Sequence, residues 1–293
     1  MRGRWIAVAL VVVGVSVAVA AGLGLRHSSD PVASAALKSE NAGGANVTLT
    51  VGVDSSKGSF TASAKGVVDD GQAAITADLS QLFAQGGLPA GNGSVEVRYL
   101  QENGDPVLYV NSPLLSTLIP GGKSWARVDL EQAGKAAGVD VNQMLAQAAA
   151  QNPANVLDLL RSAGSVQAVG PAAADGVTHY SATIDVAKAA GLVGGPAPDA
   201  VQHLIAQGGP STIPVDVWVD GNGLVRKLTV DQTVGTGAEA ATVHLNLGLS
   251  GYGTTAVHVT APPSADTLDA TGLISMAAQS GQVPSTGTAT VGG

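Results

Sequence analysis

His179 and Ser181 stand two residues apart in an alternating stretch, and with Asp129 they are this chain's nearest approach to a hydrolytic constellation. A base beside a hydroxyl needs a third group to orient it, and here only folding could bring the three together. Neither a Gly-x-Ser-x-Gly elbow nor a Ser-x-x-Lys pair is present. Asp216, Asp220 and Asp231 gather near one turn; they read either as hard-cation ligands or as solvent-facing strand carboxylates. The histidines at 27, 179, 203, 244 and 258 lack close metal-ligand spacing, and His179 and His244 fall on the polar faces of strands. Lys123-Ser124 after Gly122 ends like a phosphate-binding loop, but Thr117 occupies the position of its first glycine. The glycine pattern from Gly251 to Ala256 has no following helix to present amides to a pyrophosphate. With Cys 0, thiolate chemistry and disulfides are excluded. The expectation is a protein with no catalytic residues, no metal and no cofactor, and no enzymatic activity.

The elements around these residues are mostly strands. Ile213, Val215, Val217 and Val219 alternate with Pro214, Asp216, Trp218 and Asp220, the period of two of a strand with one face in an apolar interior. Asp220-Gly221-Asn222-Gly223 then allows a reversal into Leu224–Gln232. The same pattern predicts strands at Val47–Val53, Ser59–Val68, Ala73–Leu79, Val95–Gln101, Pro106–Asn111, Trp125–Leu130, Ser165–Val169, Val177–Val186 and Thr242–Leu249, with a last short one at Ala256–Thr260. Helices are expected at Pro31–Asn41, from Asp140 with the stripe Val141, Met144, Leu145 and Ala148, from Asn152 to Gly164 with Val156, Leu159 and Leu160, and at Ala197–Gln207. These stripes need an apolar surface to cover, and the inner face of the sheet is the only large one available.

The N-terminus sets the location. Arg2 and Arg4 precede an uncharged run from Trp5 to Leu25. At about 1.5 Å per residue that run reaches roughly 32 Å, enough for a hydrocarbon core of about 30 Å. It reads as a transmembrane anchor or, given Ala18-Val19-Ala20, as a removed signal peptide; either way the arginines favour export of the remainder of the chain. The expected division is an anchor or signal over 1–29, one domain over 30–270, and a Ser-, Thr- and Gly-rich disordered tail over 271–293. The chain carries a net charge of −8, and Arg2, Arg4 and Arg26 all precede its first acid, Asp30, so the exported part is more acidic than the whole. Such a domain is a poor partner for nucleic acid.

Together these segments resemble the actinobacterial LppX/LprG-type lipoprotein family, whose fold is also that of the LolA and LolB carriers. The resemblance rests on Gly122-Lys-Ser-Trp125-Ala-Arg-Val-Asp129, Asn152-Pro153 to Gly164, Asp175-Gly176-Val-Thr-His179-Tyr180 to Asp185, Ile213–Arg226, Gly251-Tyr-Gly253 and Ala261-Pro262-Pro263. It covers roughly 33–269 and lacks the lipid-modified cysteine, Leu23-Gly-Leu-Arg26 standing where a lipobox would place it. It implies an α+β fold: a curved antiparallel half-barrel of about ten strands, helices over its concave face, and an apolar cavity for acyl chains. A β-sandwich is the alternative fold. The implied function is an exported, membrane-anchored carrier or chaperone of lipid. The alternative is a tethered recognition domain for another envelope protein, using the Trp218 face. Wall positions in phase with the apolar alternation are Val95, Val97, Leu108, Val110, Val215, Val217, Leu228, Val230, Leu245 and Leu247. Phase alone leaves open whether they line a cavity or fill a dry core.

Overall fold

In a computed structural model the described residues are 31–56, 58–69, 71–85, 93–113, 122–137, 163–169, 176–186, 211–234, 237, 240–254 and 257–272. The N-terminal segment, the helices expected from Asp140 and at Ala197–Gln207, residues 152–162 of the helix expected from Asn152 to Gly164, and the tail beyond Gly272 lie outside them. Ala163 and Gly164, expected to end that helix, begin a strand instead. No described helix is long and apolar enough to cross a membrane.

Twelve strands form one open sheet: β1 (Ala45–Ser55), β2 (Gly58–Asp69), β3 (Gln72–Asp78), β4 (Ser94–Glu102), β5 (Asp105–Asn111), β6 (Trp125–Asp129), β7 (Ala163–Ala168), β8 (Thr178–Asp185), β9 (Thr212–Val219), β10 (Val225–Val234), β11 (Ala241–Ser250) and β12 (Thr267–Asp269). Their order is β12-β6-β5-β4-β3-β2-β1-β11-β10-β9-β8-β7. Two antiparallel meanders, β1–β6 and β7–β11, are therefore joined where β1 pairs with β11. Every pairing is antiparallel except that of β12 with β6. Among the described residues the sheet is a single one rather than a sandwich, and it has twelve strands rather than about ten.

Register fixes which residues share a face, because paired residues project to the same side. One row crosses eight strands as Tyr180, Val217, Leu228, Leu247, Leu49, Ala64, Ala77 and Val95. We call this the inner face. The outer face carries the alternate row His179, Trp218, Lys227, Gly248, Thr48, Lys65, Thr76, Glu96, Asn111 and Trp125.

Among the described residues three α-helices accompany the sheet. Helix α1 (Pro31–Glu40) buries Val32, Ala35 and Ala36 in a cluster with Ala182, Ile184, Val215, Val217, Val219, Val225, Leu228 and Leu247, and so seals the inner face of the C-terminal meander. Its end is fixed where Ser39 Oγ accepts from the Val225 amide at 2.8 Å. Nearby, the hydroxyl of the half-buried Tyr252 donates to the Val225 carbonyl at 2.7 Å, and loss of solvent around it pushes its pKa up to about 12. Helices α2 (Ser80–Gln85) and α3 (Leu130–Ala137) were not expected. Each begins from an aspartate that ends a strand and is followed three residues later by glutamine. Asp78 Oδ1 accepts from the Ser80 amide at 3.0 Å, and Asp129 Oδ1 from the Gln132 amide at 2.9 Å. The Asp-x-x-Gln spacing of a capping box was the signal available for both.

The strand expected at Ala256–Thr260 is corrected: Val257–Thr260 belong to no strand. This segment crosses the outer face instead. Gln72 Nε2 donates to the Val257 carbonyl and Gln72 Oε1 accepts from the Val259 amide, both at 2.9 Å, while Arg98 Nη1 donates to the Thr260 carbonyl at 2.9 Å. The chain then passes Pro262-Pro263, which cannot donate to a ladder, and enters β12 beside β6.

Candidate functional site

All ten phase-selected residues lie on the inner face. The structure divides them. Val215 and Leu228 are 1% exposed and Val217 0%; with Leu247 they form the packed core under α1, and Val230 and Leu245 pack against it. Val95, Val97, Leu108 and Val110 are only half-buried. Their meander shows why. The strands beside them present Ala62, Ala64 and Gly66 from β2 and Ala73, Ile75 and Ala77 from β3, mostly side chains too short to fill the space above a sheet. Phe60 closes this floor at the far end of β2, on the same face as Val53.

Gly66 marks a close approach within this floor. A Cβ there would stand 2.7 Å from the Ile75 Cα and closer still to the Ala74 carbonyl oxygen, so the β2–β3 pair draws in where only glycine fits. At the end of β3, α2 takes over: Gln81 accepts from the Thr61 amide at 2.8 Å and Gln85 donates to the Ser59 carbonyl at 3.1 Å. These side chains satisfy β2 where β3, whose last partner is Ser63, has stopped. The residues of this floor were missed in sequence, although they continue the same alternation; small side chains carry no apolar signal of their own.

Electrostatically the two faces are opposites. Among the paired positions of the twelve strands, the inner face carries no Asp, Glu, Lys, Arg or His. The charges sit on the outer face and in turns. There Arg127 Nη2 pairs with Glu102 at 2.9 Å, Arg127 Nη1 with Asp269 at 3.2 Å, and the Tyr109 hydroxyl donates to Glu102. Burial works to raise the Glu102 carboxyl, but the bonds from Tyr109 and Arg127 outweigh it and hold it below its ordinary value. Trp125 is buried with Val107 and Tyr109, and the Arg98 guanidinium lies 4.7 Å over its ring.

The chemistry-bearing residues of the sequence do not converge. His179 bonds to Asp216 at 2.7 Å and stacks on Trp218 at 4.4 Å, with Lys227 4.5 Å from the centroid of the same indole. Asp129 caps α3 from β6, nine strand positions away from His179 and Ser181 on β8, so that constellation is not assembled. The three aspartates near the hairpin also separate: Asp216 goes to His179, Asp220 to Arg226 and the turn amides of Asn222 and Leu224, and Asp231 to His244. No group of three potential metal ligands occurs among the described residues. What the geometry offers is an uncharged floor, mostly half-buried over β2–β5 and sealed by α1 at Val215, Val217 and Leu228, with Val230 and Leu245 half-buried beside that core.

Comparison with protein-family models gives no match. Over 190 residues the chain is 32% identical to an uncharacterized 31.2 kDa protein from the rplA–rplJ intergenic region of Streptomyces griseus, covering 61% of this chain. The match spans 57% of that relative, under two thirds of its length. Among solved structures, LprF from Mycobacterium bovis is similar at 16% identity and a TM-score of 0.40, over 80% of this chain and 94% of LprF. A DUF1329 family protein from Desulfovibrio piger is similar at 10% identity and a TM-score of 0.23, over 76% and 92% of the two chains. Likenesses at this level leave the functional reading to the geometry of the sheet.

Proposed function

We propose that the inner face of β2–β5 is a groove for acyl chains, and that the protein holds lipid at the outer surface of the membrane. In this reading Trp5–Leu25 exports and tethers the domain, and the open sheet is a LolA-like half-barrel. The protein is a carrier or chaperone, not an enzyme. One observation carries the proposal: an apolar surface without a single charge at its paired positions is mostly half-buried over β2–β5, floored by alanine and glycine, while α1 packs on it at Val215, Val217 and Leu228 of the other meander. Each CH₂ taken from water onto such a surface is worth about 0.8 kcal/mol, so an acyl chain gains several kcal/mol without any polar contact. The resemblance to lipid-binding lipoproteins points the same way.

A photoactivatable acyl probe offered to membranes carrying the full chain tests the groove. Crosslinks are expected on β2–β5, and Val97→Trp should abolish them. Labelling confined to the outer face or to β8–β10 would overturn the proposal. The tether has its own test in the mass of the membrane-bound protein: a mature N-terminus near Ala21 or Gly22 would mean a secreted protein.

A further inference from the structure

Over β2–β5 the inner face is apolar at every paired position but two, Tyr99 and Gln101. They are consecutive in-phase residues near the end of β4, just before the chain reverses through Asn103 and Gly104, both at positive φ. Gln101 is exposed at the rim and its side chain hydrogen-bonds to Tyr99, which is half-buried one row further in. Gly71 lies beside them, a Cβ there standing in ordinary contact with the Gln101 amide nitrogen at 3.5 Å. At the opposite end of the groove the face-mate is Phe60. From Phe60 to Val68, level with Tyr99 in the register, β2 spans roughly 26 Å. One acyl chain fills about half of a 30 Å hydrocarbon core, so the groove is long enough for a chain and a head beyond it.

We propose that Tyr99 and Gln101 are the head-group end of the groove and select an uncharged head that bears hydroxyl groups. The inference rests on the acyl-groove reading of the same face. A primary amide and a phenol together offer both donors and acceptors, which suits hydroxyls that also do both. Burial raises the Tyr99 pKa, so the phenol stays a donor throughout the physiological range. The inner face beside them is uncharged. The carboxylates of Asp69, Glu102 and Asp105 and the guanidiniums of Arg98 and Arg127 all stand on the outer-face register of their strands, where Arg98 and Arg127 are engaged by Glu96, Glu102 and Asp269. A phosphate placed here would lose its water and meet no cation at the paired inner-face positions of the described strands.

The experiment is competition against the photoactivatable acyl probe on the full chain in neutral vesicles. The competitors are dioleoylglycerol, monoglucosyl dioleoylglycerol and dioleoyl phosphatidic acid. Both hydroxylated lipids, or one of them, should displace the probe at concentrations about tenfold lower than phosphatidic acid; which one does so identifies glycerol or sugar as the source of the hydroxyls. Tyr99→Phe combined with Gln101→Leu should abolish that preference, each lost hydrogen bond weakening the hydroxylated lipids by a few-fold. The hydroxyl-free probe itself should still label the variant as well as the parent, which also shows that the variant is folded. Equal or better displacement by phosphatidic acid, or an unchanged preference in the variant, overturns the inference while leaving the groove in place. A parent chain that the hydroxyl-free probe does not label removes the groove, and the head site with it.

Discussion

The two meanders differ in how they bury the faces of one sheet. Both bury inner-face residues, among them Val51, Val53, Ala126 and Val128 in the N-terminal one, but among the described residues only the N-terminal meander carries a buried cluster on its outer face. In the C-terminal meander the densest packing is on the inner face, where α1 lies on Val215, Val217 and Leu228. Its outer face is a half-exposed ladder of His179, Trp218 and Lys227. At β4–β6 a second cluster, Val107, Tyr109 and Trp125 with Leu100, sits on the outer face, and the strap from Val257 to Asp266 crosses that side of the sheet. On the inner face of β2–β5 Ala73 and Pro106 are buried, and the larger apolar side chains Val95, Val97, Leu108 and Val110 are only half-buried. Alternation therefore makes a face apolar, but the cover laid over it decides whether that face becomes a core or a groove.

The largest expected effects probe the two cores. Trp125→Ala should destabilise by about 3–5 kcal/mol and Leu228→Ala by about 2–5 kcal/mol, because each leaves a cavity under a fixed cover. Denaturant melts measure both, and a cost below about 1 kcal/mol at either site would remove the corresponding core from the comparison. Next comes the clasp that holds the C-terminal segment to β6. Arg127→Met breaks its pairs with Glu102 and Asp269 and should cost about 1–3 kcal/mol, since Glu102 is left partly buried without its cation. Hydrogen exchange should rise first at Ala270, whose amide donates to the Arg127 carbonyl at 2.8 Å. Leu108→Ala, on the half-open inner face, should cost less than about 1 kcal/mol while weakening acyl-probe labelling. A penalty as large as that of Leu228→Ala would mean that this face is a packed core.

The smallest effect separates the outer faces by pH. The His244 pKa is raised, first by its hydrogen bond with Asp231 and further by the charges of Asp231 and Asp54. A raised folded-state pKa means that the contribution is complete below the unfolded value of 6.5 and fades as pH climbs past the folded one. Glu102 has the opposite sign: its lowered pKa gives a contribution present above 4.5 and lost as acid titrates the folded carboxyl. Melts of His244→Gln against the parent should converge at alkaline pH, and those of Glu102→Gln against the parent at acid pH. An effect of His244→Gln that is the same at pH 5 and pH 9 would show that the pair is spent in solvent.

Much of this was legible in the residues. The hairpin from Ile213 to Gln232 appears as β9 and β10, closed by Asp220 accepting from the Asn222 and Leu224 amides and by Gly223 at φ 73°. Eleven of the twelve strands follow the alternation, and α1 follows its proline start. β12 was not legible, because Thr267–Asp269 is three residues long and shows no period; it exists only because β6 offers an edge and Arg127 an ion pair. The strap was misread for a related reason: Val257 and Val259 alternate like a strand but are met by the Gln72 side chain rather than by a neighbouring backbone.

Sequence by itself determined the faces. A period of two sends every second side chain to the same side, and the alternation kept charge off the paired inner positions of all twelve strands. Tertiary structure decided the covers. Nothing local to Val97 or Val217 tells them apart, for both are valines in phase within an apolar strand. One is half-open and the other sealed because β1 pairs with β11, which sets the two meanders side by side, and because α1 settles on one of them while the strap crosses the back of the other. Those are contacts between residues up to about two hundred positions apart, and no window of sequence contains them.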